Sequence, residues 1–208
     1  MIVIKDVSVA GIAASVPNRV ISNSELESVY GQAETQKLIA SIGVETRSVA
    51  GKETTAADLC FAAAQSLLVE LDWEPDTVGA IIFVSQTPDY QFPATACVLQ
   101  SKLGLPLGTI AFDVNLGCSG YVYGLFLASS LINTGVKRVL LLVGDTISKL
   151  VRPGDRSTEL LFGDAGSATG LEHNSGKSLS FELGTDGSGF QNIVAKNSNS
   201  PTEFLPDV

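Results

Sequence analysis

The chain has 208 residues, of which 45% are hydrophobic and 17% charged, with a formal net charge of −9. This length and apolar content suit one well-buried domain and exclude a disordered chain, while the acidic balance argues against nucleic acid and anionic membranes as partners. Cysteines at 60, 97 and 118 have no metal-ligand spacing and form no even disulfide framework, which makes a reducing cytoplasm the simplest setting.

The opening MIVIKDVSVAGIAASV carries Lys5 and Asp6, so it reads as a strand over residues 2–16 and not as a signal peptide. Its Val, Ile and Ala content predicts burial on both faces. Pro17-Asn18 turns the chain, Ser22 or Asn23 can cap a short helix through Tyr30, and a second helix covers Ala33 to Ser41. Thr55-Ala-Ala-Asp58 fits a capping box in its aspartate form. Behind it Leu59, Cys60, Ala63, Ala64, Leu67, Leu68 and Leu71 recur at three and four, an amphipathic helix with Cys60 on its apolar face. Trp73 to Asp76 is a loop and Val78 to Gln86 a buried strand. Thr87 to Tyr90 has turn composition, and Pro93 suits the first position of a helix running to Gly104, with Cys97 packed inside it.

The most informative stretch is Asp113 to Gly135. A strand over Thr109 to Val114 turns through Asn115-Leu116-Gly117 and presents Cys118 where a helix begins. From Ser119 to Asn133 the segment is apolar on nearly every face, which predicts an interior helix, and Thr134-Gly135 supplies its stop. A free thiol has a pKa near 8.5, so only about 3% is thiolate at neutral pH. The start of a helix carries roughly half a positive charge and unpaired N–H groups, which favour the thiolate and can hold a developing oxyanion. Buried placement on a rigid element would fix the aim of the sulfur. The residues alone leave a second reading open, in which Cys118 is a small buried hydrophobe.

Val139 to Gly144 is the next buried strand, and Gly144-Asp145-Thr146 returns to a surface loop. RPGDR at 152–156 places two guanidinium groups beside a proline-glycine turn, which by composition alone is a solvated loop. Phe162-Gly-Asp-Ala-Gly166 lacks the pattern of a phosphate loop and reads as a close-packed strand entry. Residues 178–184 form a last strand. His173, the single histidine, sits in hairpin-turn composition and is expected as an exposed turn residue. No uninterrupted apolar run approaches a membrane span.

DVNLGCSGYVYGL, from Asp113 to Leu125, resembles the active-site segment of ketoacyl-acyl carrier protein synthase III, a family of thiolase-fold condensing enzymes. GIAASVPNRVISNSEL (11–26), TPDYQFPATACVLQSKLG (87–104), GDRSTELLFGDAGSA (154–168) and GTDGSG (184–189) follow in the family's order. The resemblance implies one α/β/α half of a thiolase-like fold over residues 1–195, with a mixed five-stranded sheet and a central helix after the cysteine. It makes 196–208 a linker-like tail toward a C-terminal half that carries the family's catalytic histidine and asparagine. It implies that Cys118 accepts an acyl group from a thioester, and that malonyl-acyl carrier protein then loses carbon dioxide and attacks the acyl-enzyme. Phe92 matches a phenylalanine that reaches across a homodimer to line the partner's acyl pocket. Arg156 matches an arginine that contacts a nucleotide or pantetheine phosphate. At the positions where many members hold coenzyme A with a tryptophan and an arginine, this chain has Lys37 and Ser41, which leaves a carrier-protein-borne primer open. The implied partners are acyl carrier protein, an acyl thioester and a second subunit, with no resident cofactor or metal. A thiolase-fold acyltransferase without decarboxylation, and a non-catalytic half-domain that binds acyl chains or dimerises, are the competing readings.

Overall fold

A computed structural model describes residues 1–156 and 158–195. The expected tail at 196–208 lies outside them. Seven strands are present among the described residues: β1 (Ile2–Ser15), β2 (Val20–Ser22), β3 (Thr46–Ser48), β4 (Ala80–Val84), β5 (Ile110–Val114), β6 (Arg138–Asp145) and β7 (Ala165–Phe181). The α-helices are α1 (Glu27–Tyr30), α2 (Gln32–Ile42), α3 (Ala56–Glu70), α4 (Thr95–Lys102) and α5 (Gly120–Asn133). Five strands form one mixed sheet in the order β1-β7-β6-β4-β5. β6, β4 and β5 run parallel, whereas β7 is antiparallel to both β6 and β1. This is a thiolase-like α/β/α half, as the resemblance implies.

The layers follow from alternation along the strands. Ile81, Phe83, Leu140 and Leu142 point to the face covered by α3 and α4, while Ala80, Ile82, Val84, Val139 and Leu141 point to the face covered by α5. All five residues of β4 are buried, as a parallel strand covered on both faces requires. The capping box of α3 forms as read: Thr55 Oγ1 accepts from the Asp58 N–H at 3.2 Å, and the Thr55 N–H donates to Asp58 Oδ2 at 3.1 Å. The close-packed entry to β7 also holds, since a Cβ on Gly166 would stand 2.5 Å from the Cys60 backbone nitrogen. Ser22 caps the turn at Asn23 to Leu26 that leads into α1.

Several expectations need correction. β1 is an edge strand paired only with β7, and just Ile4 and Val7 in it are buried, so it is not covered on both faces. α4 begins at Thr95, two residues after Pro93; the Phe92-Pro93 peptide is cis and precedes the helix. β2 and β3 form a small two-stranded antiparallel sheet that the sequence did not announce. The strands expected on either side of His173 are one strand, β7. Its turn composition is real but makes a bulge: Lys5 pairs with Ser178 and Val7 with His173, so 174–177 loop out of the ladder. Gly176 sits at φ +80° in that bulge, and its N–H donates to Asp6 Oδ1 at 2.8 Å. His173 is exposed as expected, but in the strand.

α5 departs from the expectation of an interior helix. It buries the row Gly120, Gly124, Ala128 and Ile132 against the sheet, while Val122 remains 44% exposed and Leu125, Leu127 and Leu131 are only partly covered. Cys97 is exposed and not packed inside α4. No helix among the described residues is long and apolar enough to cross a membrane.

Candidate active site

Three parallel strands end together. Val84 of β4 pairs with Val114 of β5 and Val143 of β6, so the segments following these strands emerge at one rim of the sheet. The carboxyl ends of parallel strands are where ligand-handling loops gather. Cys118 occupies the turn after β5, directly before Ser119, the N-cap of α5, and it is exposed. The buried placement expected for it is therefore wrong, whereas its position at the start of the helix is right. Ser119 makes no side-chain capping bond and the first turn of α5 holds no acidic residue, which leaves the positive end of the helix uncompensated by side chains.

Close approach sets this turn. A Cβ on Gly117 would lie 2.6 Å from Gln86 Oε1, and one on Gly120 would lie 2.7 Å from Val84 Cγ1. Glycine at both positions lets the turn and the first residue of α5 lie directly on the end of β4. The Gly120 N–H donates to the Gly117 carbonyl at 2.7 Å and closes the turn around Cys118. One turn into the helix, the Tyr123 hydroxyl donates to the Gly184 carbonyl at 2.9 Å, which brings the start of GTDGSG beside the first turn of α5.

The loop after β4 is held by carboxylates that the sequence reading did not single out. Asp145 Oδ1, at the end of β6, accepts from Ser85 Oγ at 2.9 Å, from the Gln86 and Thr87 N–H groups at 2.8 and 2.9 Å, and from Thr87 Oγ1 at 2.8 Å. Gly144-Asp145-Thr146 is thus an anchor and not a plain surface loop. Asp113, the last but one residue of β5, accepts the Thr95 and Ala96 N–H groups at 2.6 and 2.7 Å and caps α4 from another element. Asp164 is 2% exposed and takes the Ala50 and Ser148 N–H groups at 2.7 and 3.0 Å. A carboxylate one to two residues from a strand end was the available signal for Asp145 and Asp113, but acceptors this distant in sequence cannot be matched without the fold.

The other candidate residues are not gathered around the sulfur by any direct contact. Phe92 projects from the β4–α4 loop, on the same rim as Cys118, and is 81% exposed. Arg156 lies in the segment before β7 and forms an ion pair with Glu34 in the first turn of α2. That pair ties the segment to the small helical cap, as does Asn23, whose Nδ2 donates to the Val44 and Leu160 carbonyls and whose Oδ1 accepts from Arg47 Nε. His173 lies at the opposite end of the sheet from Cys118, where its N–H donates to the Lys137 carbonyl at 3.0 Å. There it lines an open concavity of about 850 Å³ with Ile132, Val136, Lys137, Arg138 and Glu172.

A mixed sheet with a cysteine at the parallel-strand rim, presented by a glycine turn before a helix, defines a thiolase-like half with an exposed thiol where its parallel strands end. The family model for 3-oxoacyl-[acyl-carrier-protein] synthase III matches residues 112–187, which include Cys118 and Arg156. A 3-oxoacyl-(acyl-carrier protein) synthase structure from Burkholderia xenovorans LB400 superposes with a TM-score of 0.90 at 46% identity, covering 92% of this chain and 55% of that one. A β-ketoacyl-[acyl carrier protein] synthase III from Thermus thermophilus gives a TM-score of 0.86 at 33% identity, covering 96% and 61%. A curated relative, the β-ketoacyl-[acyl-carrier-protein] synthase III of Desulfitobacterium hafniense (strain DSM 10664 / DCB-2), is 34% identical over 186 residues, 88% of this chain and 56% of the relative. The chain belongs to the 3-oxoacyl-[acyl-carrier-protein] synthase III family and corresponds to its N-terminal half. It spans about half the length of the curated relatives it matches.

Proposed function

We propose that the chain is the acyl-accepting half of a decarboxylative condensing enzyme. The observation that carries this reading is the position of Cys118: exposed, at the parallel-strand rim, in the glycine turn that starts α5, within the stretch the family model covers. The sulfur anion attacks the carbonyl carbon of an acyl thioester, the tetrahedral oxyanion meets helix N–H groups, and the carrier thiolate leaves and takes up a proton. The product is an acyl-Cys118 thioester and a free carrier thiol. In the second step malonyl-acyl carrier protein loses carbon dioxide, and its enolate attacks the acyl carbonyl. The Cys118 thiolate is then released and a 3-oxoacyl-carrier protein remains.

The enolate needs hydrogen-bond donors of the histidine and asparagine kind. His173 stands at the far end of the sheet, so it does not supply them at Cys118. The reading further takes Arg156 as the cation for a pantetheine or nucleotide phosphate, Phe92 as an acyl-pocket wall reaching into the second subunit of a homodimer, and the cytoplasm as the setting. Arg156 would have to leave Glu34, or share it, to meet a phosphate.

Intact mass after incubation with acyl-coenzyme A and with acyl-acyl carrier protein tests the reading. An adduct of the acyl mass is expected on the wild-type chain and not on Cys118→Ala. A wild-type chain that stays unmodified with every thioester offered would sink it, in favour of a half-domain that binds or dimerises without chemistry.

A further inference from the structure

The ten residues from Ser85 to Ala94 carry Phe92 away from β4 and return to α4. Both ends are pinned, by Asp145 at Ser85 to Thr87 and by Asp113 at Thr95 and Ala96. Between these anchors lie Pro88 to Ala94, and one side chain there reaches the body of the protein. Asp89 Oδ2 accepts the Thr55 hydroxyl at 3.2 Å, at the N-cap of α3. The same hydroxyl oxygen accepts the Asp58 N–H, so Thr55 caps its helix and ties down the loop with one group. Asp58 in turn meets Lys102, the last residue of α4, at 3.6 Å. The Ala57 N–H, in the first turn of α3, also bonds to the Asp89 carboxyl, whose Oδ1 lies out of solvent. Burial pushes the Asp89 carboxyl up and the neighbouring Asp58 adds to the rise, against the pull of the Thr55 hydroxyl and the Ala57 N–H.

A carboxylate drawn partly out of water is costly unless hydrogen bonds offset it, and here they come from Thr55 and Ala57 at the start of α3. Its retention at the loop tip calls for a role in which position matters. We propose that Asp89 is a positioning residue for the acyl site: its bond to Thr55 seats the loop tip on the start of α3 and thereby sets where Phe92 stands. The inference rests on the reading above that Phe92 walls an acyl pocket. The seated loop gives a fixed wall and hence a defined limit on acyl length. A released loop lets Phe92 shift, and the limit relaxes.

The experiment compares Asp89→Ala, Asp89→Asn and Thr55→Val with wild type in two readouts: amide exchange at Tyr90 to Phe92, and the ratio of Cys118 acylation by short-chain and long-chain acyl thioesters. Asp89→Ala leaves the Thr55–Asp58 capping box of α3 in place, and Thr55→Val removes the same bond from the other side should the first variant fail to fold. Losing one such bond is expected to raise tip exchange roughly 2- to 12-fold and to move the chain-length ratio toward the longer substrate by a similar factor. Asp89→Asn keeps an acceptor for Thr55 and should hold both readouts near wild type. Unchanged tip exchange in Asp89→Ala and Thr55→Val, or faster exchange with an unchanged ratio, overturns the inference while leaving the acyltransferase reading standing. A wild-type chain that no thioester acylates overturns that reading, and the acyl-site role falls with it.

Discussion

The three thiols occupy three different environments. Cys60 is fully buried under β7, where a Cβ on Gly166 would collide with its backbone, and burial pushes its thiol up to about 12. Cys97 and Cys118 are exposed. Iodoacetamide at pH 8 should therefore label Cys97 and Cys118 in the native chain and reach Cys60 only after denaturation, as read by peptide mass mapping. Early labelling of Cys60 would mean that the α3–β7 contact opens readily. Tyr30 gives a test by pH. Its hydroxyl donates to Glu159, and that bond, with burial and the nearby negative charge, lifts it from 10 to about 12. A raised acid favours the folded state below the unfolded value, so the contribution is complete below about pH 10 and vanishes as pH rises through 12. Tyr30→Phe should thus lose about 1 kcal/mol or less near neutrality, because the pair is close to solvent, with the difference from wild type closing above pH 11 in urea titrations. A gap that persists at high pH would assign Tyr30 a packing role instead.

Among the elements, α5 and β7 are set by close approach. In an open helix, alanine is preferred to glycine by about 1 kcal/mol. At Gly124 that preference is expected to reverse, since a Cβ would stand 2.6 Å from Leu141 Cδ1 and 3.2 Å from Val84 Cγ2, both side chains buried in the sheet. Gly166→Ala should be worse, because its nearest neighbours are backbone atoms of Leu59 and Cys60 that cannot rotate away. Urea midpoints should fall in the order wild type, Gly124→Ala, Gly166→Ala, with about 1 kcal/mol lost at Gly124 and about 3 kcal/mol or more at Gly166. An unchanged midpoint for Gly166→Ala would show that α3 and β7 are further apart than described. The cap of α3, the all-buried β4 and the glycine turn into α5 were legible in the sequence because each depends on contacts within a few residues. β7 was not. Asn174 to Lys177 carries genuine turn chemistry, and only the partner strand decides whether such a turn ends a strand or bulges from it.

For the whole molecule, the sheet is covered by α3 and α4 on one face and by α5 on the other, but α5 has no layer beyond it among the described residues. Val122 stands 44% exposed on that outer side, and Leu125, Leu127 and Leu131, which pack against the core, keep part of their apolar surface uncovered. Apolar surface of this kind drives association in water. The 208-residue chain by itself should associate at micromolar concentration in sedimentation velocity, and Val122→Lys should shift it toward monomer without lowering the urea midpoint. A monodisperse monomer across that range would show that this uncovered surface is too small to hold a partner.

Periodicity and end signals in the sequence determined α3, β4, β5, β6, the helix that begins just after Cys118 and the family resemblance, since all of these are written in neighbouring residues. The tertiary structure decided which thiols face solvent, that Arg156 meets Glu34, that Asp145 and Asp113 brace a loop from two other strands, and that His173 stands away from Cys118. These depend on partners from 17 to 122 residues away in the chain, and a local pattern carries no record of which distant neighbour will satisfy a given charge or cover a given face.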